Sequence, residues 1–262
     1  SSAATVILIS GAKSITINNC RFENTVTVNT LGMVIAFGSE DIRVTNCVFD
    51  QPLFDQIELG AARHVEIRNN EFTRFNSRHC IHAHGGSANN MIIADNYFHD
   101  GYPYEGVIFA YLGTQGSRIV NNIFANVGKR DPNDPATDTG LAYGVLIVRG
   151  GEITVENNVF YKMEDFGILA NEFTGFGTYR NNIFLGYNVG IRLRGGILPG
   201  SSTTGAIVDY NIFYGNQSDL LIIAGEEPFL DHPPTGNCLG GPAPGNAACD
   251  PKFRECEMPI TR

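Results

Sequence analysis

Polar and apolar residues alternate in short segments, and most segments end in the same four-residue motif, in which one or two asparagines precede a phenylalanine. The clearest copies of this motif are residues 121–124, 157–160, 181–184 and 210–213, and weaker copies end at Phe22, Phe49, Phe72 and Phe98. The eight phenylalanines are 27, 23, 26, 26, 36, 24 and 29 residues apart. A repeat period of about 20–50 residues is typical of a solenoid.

Each period predicts three short strands. The residue five before the phenylalanine is β-branched or aromatic and its neighbours are mostly polar, as at Val44, Ile67 and Val155, and this alternation predicts a half-buried strand. The asparagine pair predicts a tight bend, because Asn tolerates left-handed backbone. The phenylalanine begins a second strand, and a third apolar strand follows later in each period.

We therefore expect an all-β fold, a right-handed parallel β-helix of about eight to nine coils with asparagine and phenylalanine ladders inside. Like residues would stack about 4.8 Å apart. A propeller or a sandwich would need more turn signals between antiparallel strands. We assign residues 1–225 to the β-helix and the Gly- and Pro-rich residues 226–262 to an irregular C-terminal cap.

Composition narrows the function. A net charge of −9 and a pI near 5.1 argue against nucleic acid as a partner, and no run approaches the roughly 18 apolar residues of a membrane helix. The strand-like run 6–9 at the start suggests a mature or trimmed N-terminus. Cys20 and Cys47 occupy the asparagine position, so we expect them inside. A Cys238–Cys249 disulfide is expected in the tail, with Cys256 as an alternative partner, which fits a secreted or cell-surface protein.

These repeats resemble the right-handed β-helix family that includes pectate lyases, alginate and chondroitin lyases, rhamnogalacturonan-acting enzymes and phage tailspikes. The resemblance covers about residues 5–225 and rests on the asparagine and hydrophobic stacks. It implies the fold and a place, the outer face of the third strand, where the family's substrates commonly lie. It transfers no catalytic residue, because the motifs of mannuronan epimerases, polygalacturonases and pectate lyases are not recognisable in the sequence.

The outward positions of that third strand predict a laddered row of cationic, aromatic and amide side chains. Residues two apart on a strand share a face, and aligning the Gly-Gly pairs after His84, Arg149 and Arg194 sets the register. The row is His82, His84, Phe109, Tyr111, Arg149, Asn171, Arg192 and Arg194. On an acidic chain, such a row indicates either a groove for a carboxylated or sulfated polysaccharide or an ordinary solvated surface.

Cleavage of a uronate-containing glycan by β-elimination needs a cation, a base and an acid. Arg149, Arg192 or Arg194 could neutralise the carboxylate, His82 or His84 could be the base, and Tyr111 the acid. The residues expected to bind the sugar chain are Phe109, Asn171, Arg192, Arg194, Tyr102 and Tyr104.

Alternatives to a lyase stay open. A glycoside hydrolase needs a spaced pair of carboxyl groups, which the sequence does not single out among candidates such as Asp55, Glu58 and Glu105. A non-catalytic carbohydrate-binding or tail-fibre module, as monomer or homo-oligomer, is the other. His82 and His84 have metal-ligand spacing, with Glu58 or Tyr111 one coil away, but without a third ligand at fixed spacing we predict no metal site. No cofactor is predicted with certainty; calcium at the acidic segment 131–138 is the one alternative.

Overall fold

The computed structural model describes residues 5–23, 32–51, 55–76, 78–84, 88–103, 105–112, 114–128, 142–149, 152–171, 177–186, 189–194, 206–216, 218–223 and 238–240. Within these residues the chain forms short β-strands, none longer than six residues. They are β1 (Thr5–Ser10), β2 (Lys13–Asn18), β3 (Arg21–Glu23), β4 (Gly32–Phe37), β5 (Glu40–Thr45), β6 (Val48–Asp50), β7 (Ile57–Gly60), β8 (Arg63–Arg68), β9 (Glu71–Thr73), β10 (Ile81–His84), β11 (Ile92–Ala94), β12 (Tyr97–Gly101), β13 (Gly106–Tyr111), β14 (Ser117–Val120), β15 (Ile123–Val127), β16 (Tyr143–Val148), β17 (Ile153–Glu156), β18 (Val159–Met163), β19 (Phe166–Asn171), β20 (Gly177–Arg180), β21 (Ile183–Leu185), β22 (Val189–Arg194), β23 (Ile207–Asp209), β24 (Ile212–Tyr214), β25 (Ser218–Ile223) and β26 (Cys238–Gly240).

Three parallel sheets run the length of the molecule. The first sheet has the order β1-β4-β7-β10-β13-β16-β19-β22-β25, the second β2-β5-β8-β11-β14-β17-β20-β23, and the third β26-β24-β21-β18-β15-β12-β9-β6-β3. Every third strand in sequence is therefore a neighbour in space, which is the connectivity of a coil. The predicted parallel β-helix is confirmed. The described part of the chain contains no helix that is long and apolar enough to cross a membrane.

An asparagine ladder fills the bend between the second and third sheets. From Asn70 to Asn182, each side-chain Nδ2 donates to the Oδ1 of the next asparagine at 3.0–3.1 Å and to a main-chain oxygen at 2.9 Å. The ladder residues are Asn70, Asn96, Asn122, Asn158, Asn182 and Asn211, all buried. The residue before each has φ of 55–57°, a left-handed bend that Asn and Asp tolerate well. Buried bend amides thus find their partners inside the coil stack.

Phenylalanine rings stack beside this ladder. All eight rings lie parallel, with neighbouring centroids 4.6–4.9 Å apart, close to the spacing of parallel strands. Cys47 is buried at the ladder position as predicted, and its main-chain N donates to Asn70 Oδ1 at 2.9 Å, whereas Cys20 is only partly buried. Both thiols are free.

The predicted irregular cap at residues 226–262 is described only at β26. This strand pairs in parallel with β24 and extends the third sheet, so the coil pattern continues into the segment assigned to the cap. Cys249 and Cys256, and with them the predicted disulfide, lie outside the described residues, as does the acidic segment 131–138.

Candidate functional site

The outward positions of the first sheet form two rows fixed by strand pairing. One row contains Glu58, His82, Phe109, Leu146, Leu169 and Arg192. The other contains Gly60, His84, Tyr111, Val148, Asn171 and Arg194. We use the name outer row for both rows together. His82, His84, Phe109 and Tyr111 therefore lie on adjacent strands, as predicted.

Arg149 is not in the outer row, and this prediction was wrong by one residue. Val148 pairs with Tyr111 on one side and with Asn171 on the other. Arg149 follows β16 with a left-handed φ of 52°, like Leu112 after β13 (φ 53°), and its N–H donates to Asn171 O at 3.2 Å. His84 and Arg194 still belong to their strands, so aligning the Gly-Gly pairs placed the bend after β16 one residue too late.

The middle of the outer row is apolar rather than cationic. Leu146 and Leu169 are buried and pack with Tyr143, Phe166 and Val189. Arg192 lies four strands from His82, about 19 Å at a strand spacing of about 4.8 Å. The outer row therefore has polar side chains at its two ends and apolar side chains between them, instead of the continuous polar row that was predicted.

At the end of the outer row formed by β19 and β22, the guanidinium of Arg192 lies 5.3 Å from the centre of the Phe166 ring. Its Nε and the Oδ1 of Asn171 are buried with no hydrogen-bond partner among the described residues. The Arg194 side chain and all of Tyr104 lie outside the described residues. Tyr102 is exposed just after β12, at the bend that leads from the third sheet to the first.

At the end of the outer row formed by β7 and β10, histidines and carboxylates from three coils lie together as one hydrogen-bonded group of four residues and one adjacent pair. His79 lies between Asp55 Oδ1, 3.1 Å from its Nδ1, and Glu105 Oε2, 3.0 Å from its Nε2. His82 Nδ1 is 2.8 Å from Asp55 Oδ2, and His84 Nε2 is 2.8 Å from Glu58 Oε1. We call these six residues the His–carboxylate cluster.

The hydrogen bonds of the cluster shift the pKa values of His79, Asp55 and Glu105 toward the charged forms of these side chains. Burial lowers the pKa of His79, but the hydrogen bonds to Asp55 and Glu105 outweigh it and raise that pKa above its ordinary value. Burial likewise raises the pKa of Asp55, but its bonds to His79 and His82 hold the pKa well below the usual range. The bond to His79 lowers the pKa of Glu105 to about 2, although burial opposes it. Its position between two carboxylates thus favours the protonated form of the buried His79.

His82 has the opposite character. Burial lowers the pKa of His82, the nearby His79 and His84 lower it further, and the bond to Asp55 offsets this only in part. A neutral His82 that donates Nδ1–H to Asp55 carries its lone pair on Nε2. Phe109 packs beside it, with ring centroids 5.1 Å from His82 and 5.8 Å from Tyr111. The arrangement suits a proton acceptor beside an aromatic platform.

Sequence reasoning did not identify the role of His79, and it named Asp55 and Glu105 only as two of several carboxyls. The sequence separation between these residues could have identified them, because it is close to one coil. Asp55 is 24 residues from His79 and 27 from His82, and His79 is 26 from Glu105, all within the range of the phenylalanine spacings.

A concavity of about 680 Å³ lies on the outer face of the second sheet. Its lining includes Asp41, Arg43, His64 and Glu66. Arg43 Nε is 3.4 Å from Glu66 Oε2, and His64 Nδ1 is 3.5 Å from Glu40 Oε1. Its charged groups pair with one another, and it is on a different sheet from the outer row.

Comparison with known proteins concerns mainly the fold. The sequence matches the family model described as "Right handed beta helix region" over residues 5–213. No curated protein matches it significantly. Among solved structures, the hyperthermoactive exopolygalacturonase from Thermotoga maritima matches with a TM-score of 0.58 and 12% identity, over 83% of this chain and 54% of that one. The matched part thus spans about half the length of that enzyme.

Proposed function

Because this chain belongs to the right-handed β-helix family, we propose that its outer row binds an acidic, uronate-containing polysaccharide and that the protein cleaves it by β-elimination. The observation that carries the proposal is the contact between Asp55 Oδ2 and His82 Nδ1 at 2.8 Å, which leaves His82 Nε2 to act as a base beside the Phe109 ring of the next coil. The name of the structural neighbour, an exopolygalacturonase, supports a polysaccharide as the class of substrate. We place the activity outside the cell or at its surface.

The proposed step uses His82 as base and Tyr111 as acid. His82 Nε2 takes the proton from the sugar carbon next to the carboxylate, and the electron pair of that C–H bond forms a carbon–carbon double bond. The bond to the glycosidic oxygen breaks, and the Tyr111 hydroxyl donates a proton to that oxygen. The products are a chain with a free hydroxyl and a chain with an unsaturated terminal sugar, so atoms and charge balance.

We assign neutralisation of the uronate carboxylate to Arg149, which lies at the bend after β16, beside the outer row rather than in it. Among the three predicted arginines it is nearest to Tyr111 in the register, one strand away and one residue further along. Arg192 is about 19 Å from His82 and belongs to a distant part of the binding face, where Arg192 and Asn171 would hold another carboxylate or hydroxyl of the same chain. Phe109 and Tyr102 complete the proposed binding face, and Tyr104 and the Arg194 side chain stay predictions from the sequence.

A panel of polysaccharides tests this function. Alginate, pectate, hyaluronan, chondroitin and neutral glycans are incubated with the protein, and ultraviolet absorbance of unsaturated products is followed together with new reducing ends. We expect both signals to rise together on at least one acidic glycan. New reducing ends without absorbance would overturn elimination in favour of hydrolysis, and binding with neither signal would favour a carbohydrate-binding module.

Two variants and a matched control assign the residues. His82→Ala and Tyr111→Phe should each lower turnover by about 10²–10⁴-fold, the usual contribution of a general base or acid. His99→Ala is the control, because His99 also lies between two carboxylates, 3.0 Å from Glu71 and 2.8 Å from Asp100, but on the third sheet. Wild-type turnover in His82→Ala would contradict the assignment of the base.

A further inference from the structure

We propose that the outward end of the His–carboxylate cluster, Glu58, His82 and His84, is a binding site for a divalent transition-metal ion such as Zn²⁺. Each of the three residues offers one ligand atom, and these atoms all lie within 4.8 Å of one another. Two imidazoles and one carboxylate form a donor set that such ions favour. Nothing in the sequence alone fixed the third ligand, since Glu58 belongs to the preceding coil.

The backbone itself sets this geometry. His82 and His84 are two residues apart on β10, so they project from the same face. Glu58 on β7 pairs directly with His82. The imidazole centroids of His82 and His84 are 4.6 Å apart, and His84 Nε2 is 2.8 Å from Glu58 Oε1. An ion would therefore need only small side-chain adjustments on a rigid pair of strands.

Asp55 provides the outer support that metal-bound histidines usually have. Histidine ligands commonly donate their second ring N–H to a carboxylate, which fixes the tautomer and the ring orientation. Asp55 Oδ2 is 2.8 Å from His82 Nδ1, so Nε2 is the nitrogen left to bind an ion. This contact is already in place before any ion binds.

A deeper set, Asp55, His79 and His82, also places its ligand atoms within 4.8 Å, but it suits a metal less well. Both ring nitrogens of His79 already bond to carboxylates, and its side chain has no exposed surface. In the outer set, Glu58, His82 and His84 keep 13%, 12% and 29% of their side-chain surface exposed, which leaves an entry path.

The donor set also defines the class of ion. Imidazole nitrogen suits Zn²⁺, Ni²⁺ or Cu²⁺, whereas Ca²⁺ and Mg²⁺ prefer sites made of oxygen atoms. Three protein ligands leave a coordination position for water or another small ligand. The inference rests on this geometry and not on the proposed polysaccharide cleavage. If both hold, a bound ion occupies His82 Nε2 and should inhibit cleavage, because that nitrogen can no longer accept a proton.

Calorimetric titration of the full chain, after treatment with a chelator, tests the site. ZnCl₂ should bind with one ion per chain, and CaCl₂ should give no comparable heat. His84→Ala and Glu58→Gln should each weaken zinc binding by at least about 100-fold, and Asp55→Asn by about 10–100-fold, as outer-shell changes do. His99→Ala, which removes a carboxylate-paired histidine on the third sheet, should bind zinc like the wild type.

A second measurement, made on the wild-type protein, tests the site even if the variants do not fold. X-ray absorption of the zinc-loaded wild-type protein should show two imidazole ligands. A zinc affinity that is the same in the wild type, His84→Ala and Glu58→Gln, or a spectrum without imidazole, would overturn the proposal. Zinc binding by a protein that cleaves no glycan even when metal-free would leave this site intact and remove the proposed function, whereas cleavage by the metal-free protein without any zinc binding would do the reverse.

Discussion

The asparagine ladder and the outer row both stack side chains in register from coil to coil, yet only the ladder repeats one residue type. Each ladder amide completes hydrogen bonds of a buried bend, for example Asn122 Nδ2 to Ile93 O and to Asn158 Oδ1. Along the outer row no single residue type runs through the coils, and around the histidines the type changes from Glu58 to His82 to Phe109. Where the backbone needs a particular side chain, the same residue type is found in successive coils. Where it does not, the residue type is free to vary and can serve binding or catalysis.

The two regions also differ in their partners. Ladder side chains bond to main-chain atoms and to copies of themselves, so each coil depends on the next for the same contacts. The His–carboxylate cluster bonds mostly between unlike side chains, as between His79, Asp55 and Glu105. Changes in the first region should therefore lower stability, and changes in the second should alter binding and activity first.

The largest expected effect on stability comes from removing one ladder amide. Asn122→Ala should lower the free energy of unfolding by about 3–5 kcal/mol, because buried donors and acceptors on both neighbouring coils lose their partner. Urea unfolding followed by circular dichroism measures this. Asn126→Gly is the control: its side chain is exposed, its φ of 54° suits glycine, and it should change the free energy by about 0.5 kcal/mol or less. Equal losses in both variants would refute the distinction between ladder and surface.

Glu156 is an intermediate case, a buried carboxylate two residues before ladder residue Asn158 that accepts hydrogen bonds from Arg118 and Arg180. Burial raises the pKa of Glu156, but the two arginine bonds outweigh it, so the pKa lies below its ordinary value. Glu156→Gln should cost about 1–2 kcal/mol at pH 7, less than in a fully buried pair because both guanidinium groups are about half exposed.

The sign of the pH dependence follows from that lowered pKa. The stabilisation by Glu156 is complete above the unfolded-state pKa of about 4.3 and is lost as the pH falls through the folded-state pKa. The difference between wild type and Glu156→Gln in urea unfolding should therefore shrink from pH 7 to pH 3. A difference that stays constant over this range would show that the charge of Glu156 does not stabilise the fold.

Cys47 offers the reverse test, because it occupies a ladder position without an amide. Its Sγ lies 3.8 Å from Ile17 O, the position that corresponds to the main-chain acceptor of each ladder amide. Cys47→Asn should add bonds to Ile17 O and Asn70 Oδ1 and raise the free energy of unfolding by about 1 kcal/mol. Cys47→Ala should show no such gain, and a destabilised Cys47→Asn would mean that this coil cannot accept the ladder.

The smallest effect on stability is expected in the outer row. Tyr111→Phe removes a hydroxyl from a partly exposed ring and should change the free energy of unfolding by about 0.5 kcal/mol or less. Turnover should nevertheless fall if Tyr111 is the acid. Thermal unfolding of this variant, measured on the sample used for activity, separates the two effects, and a large loss of stability would assign Tyr111 to the scaffold.

The fold was predictable from the sequence because its requirements repeat. The asparagine and phenylalanine positions identified the bend and the stacks, and the third apolar strand predicted in each period corresponds to observed strands such as β22 (Val189–Arg194). The site was less predictable. The position of Arg149 was inferred from Gly-Gly pairs, which do not fix where a strand ends, and the contacts of His79 form in bends of unequal length. His82 and Tyr111 were identifiable because they lie on strands.

Two neighbouring steps of the ladder have the same length, so a whole coil could be removed there without changing the register of the strands. Asn70, Asn96 and Asn122 are each 26 residues apart, and every coil contacts only its neighbours. Removal of the 26 residues 97–122 would join Asn96 to the strand that now follows Asn122, so the shortened stack could restore its contacts with Asn158. Removal of a single residue within a coil would instead put the inward side chains of one strand on the outside. Within the strands, insertions and deletions are therefore tolerated only in units of a whole coil, whereas the bends between strands differ in length from coil to coil.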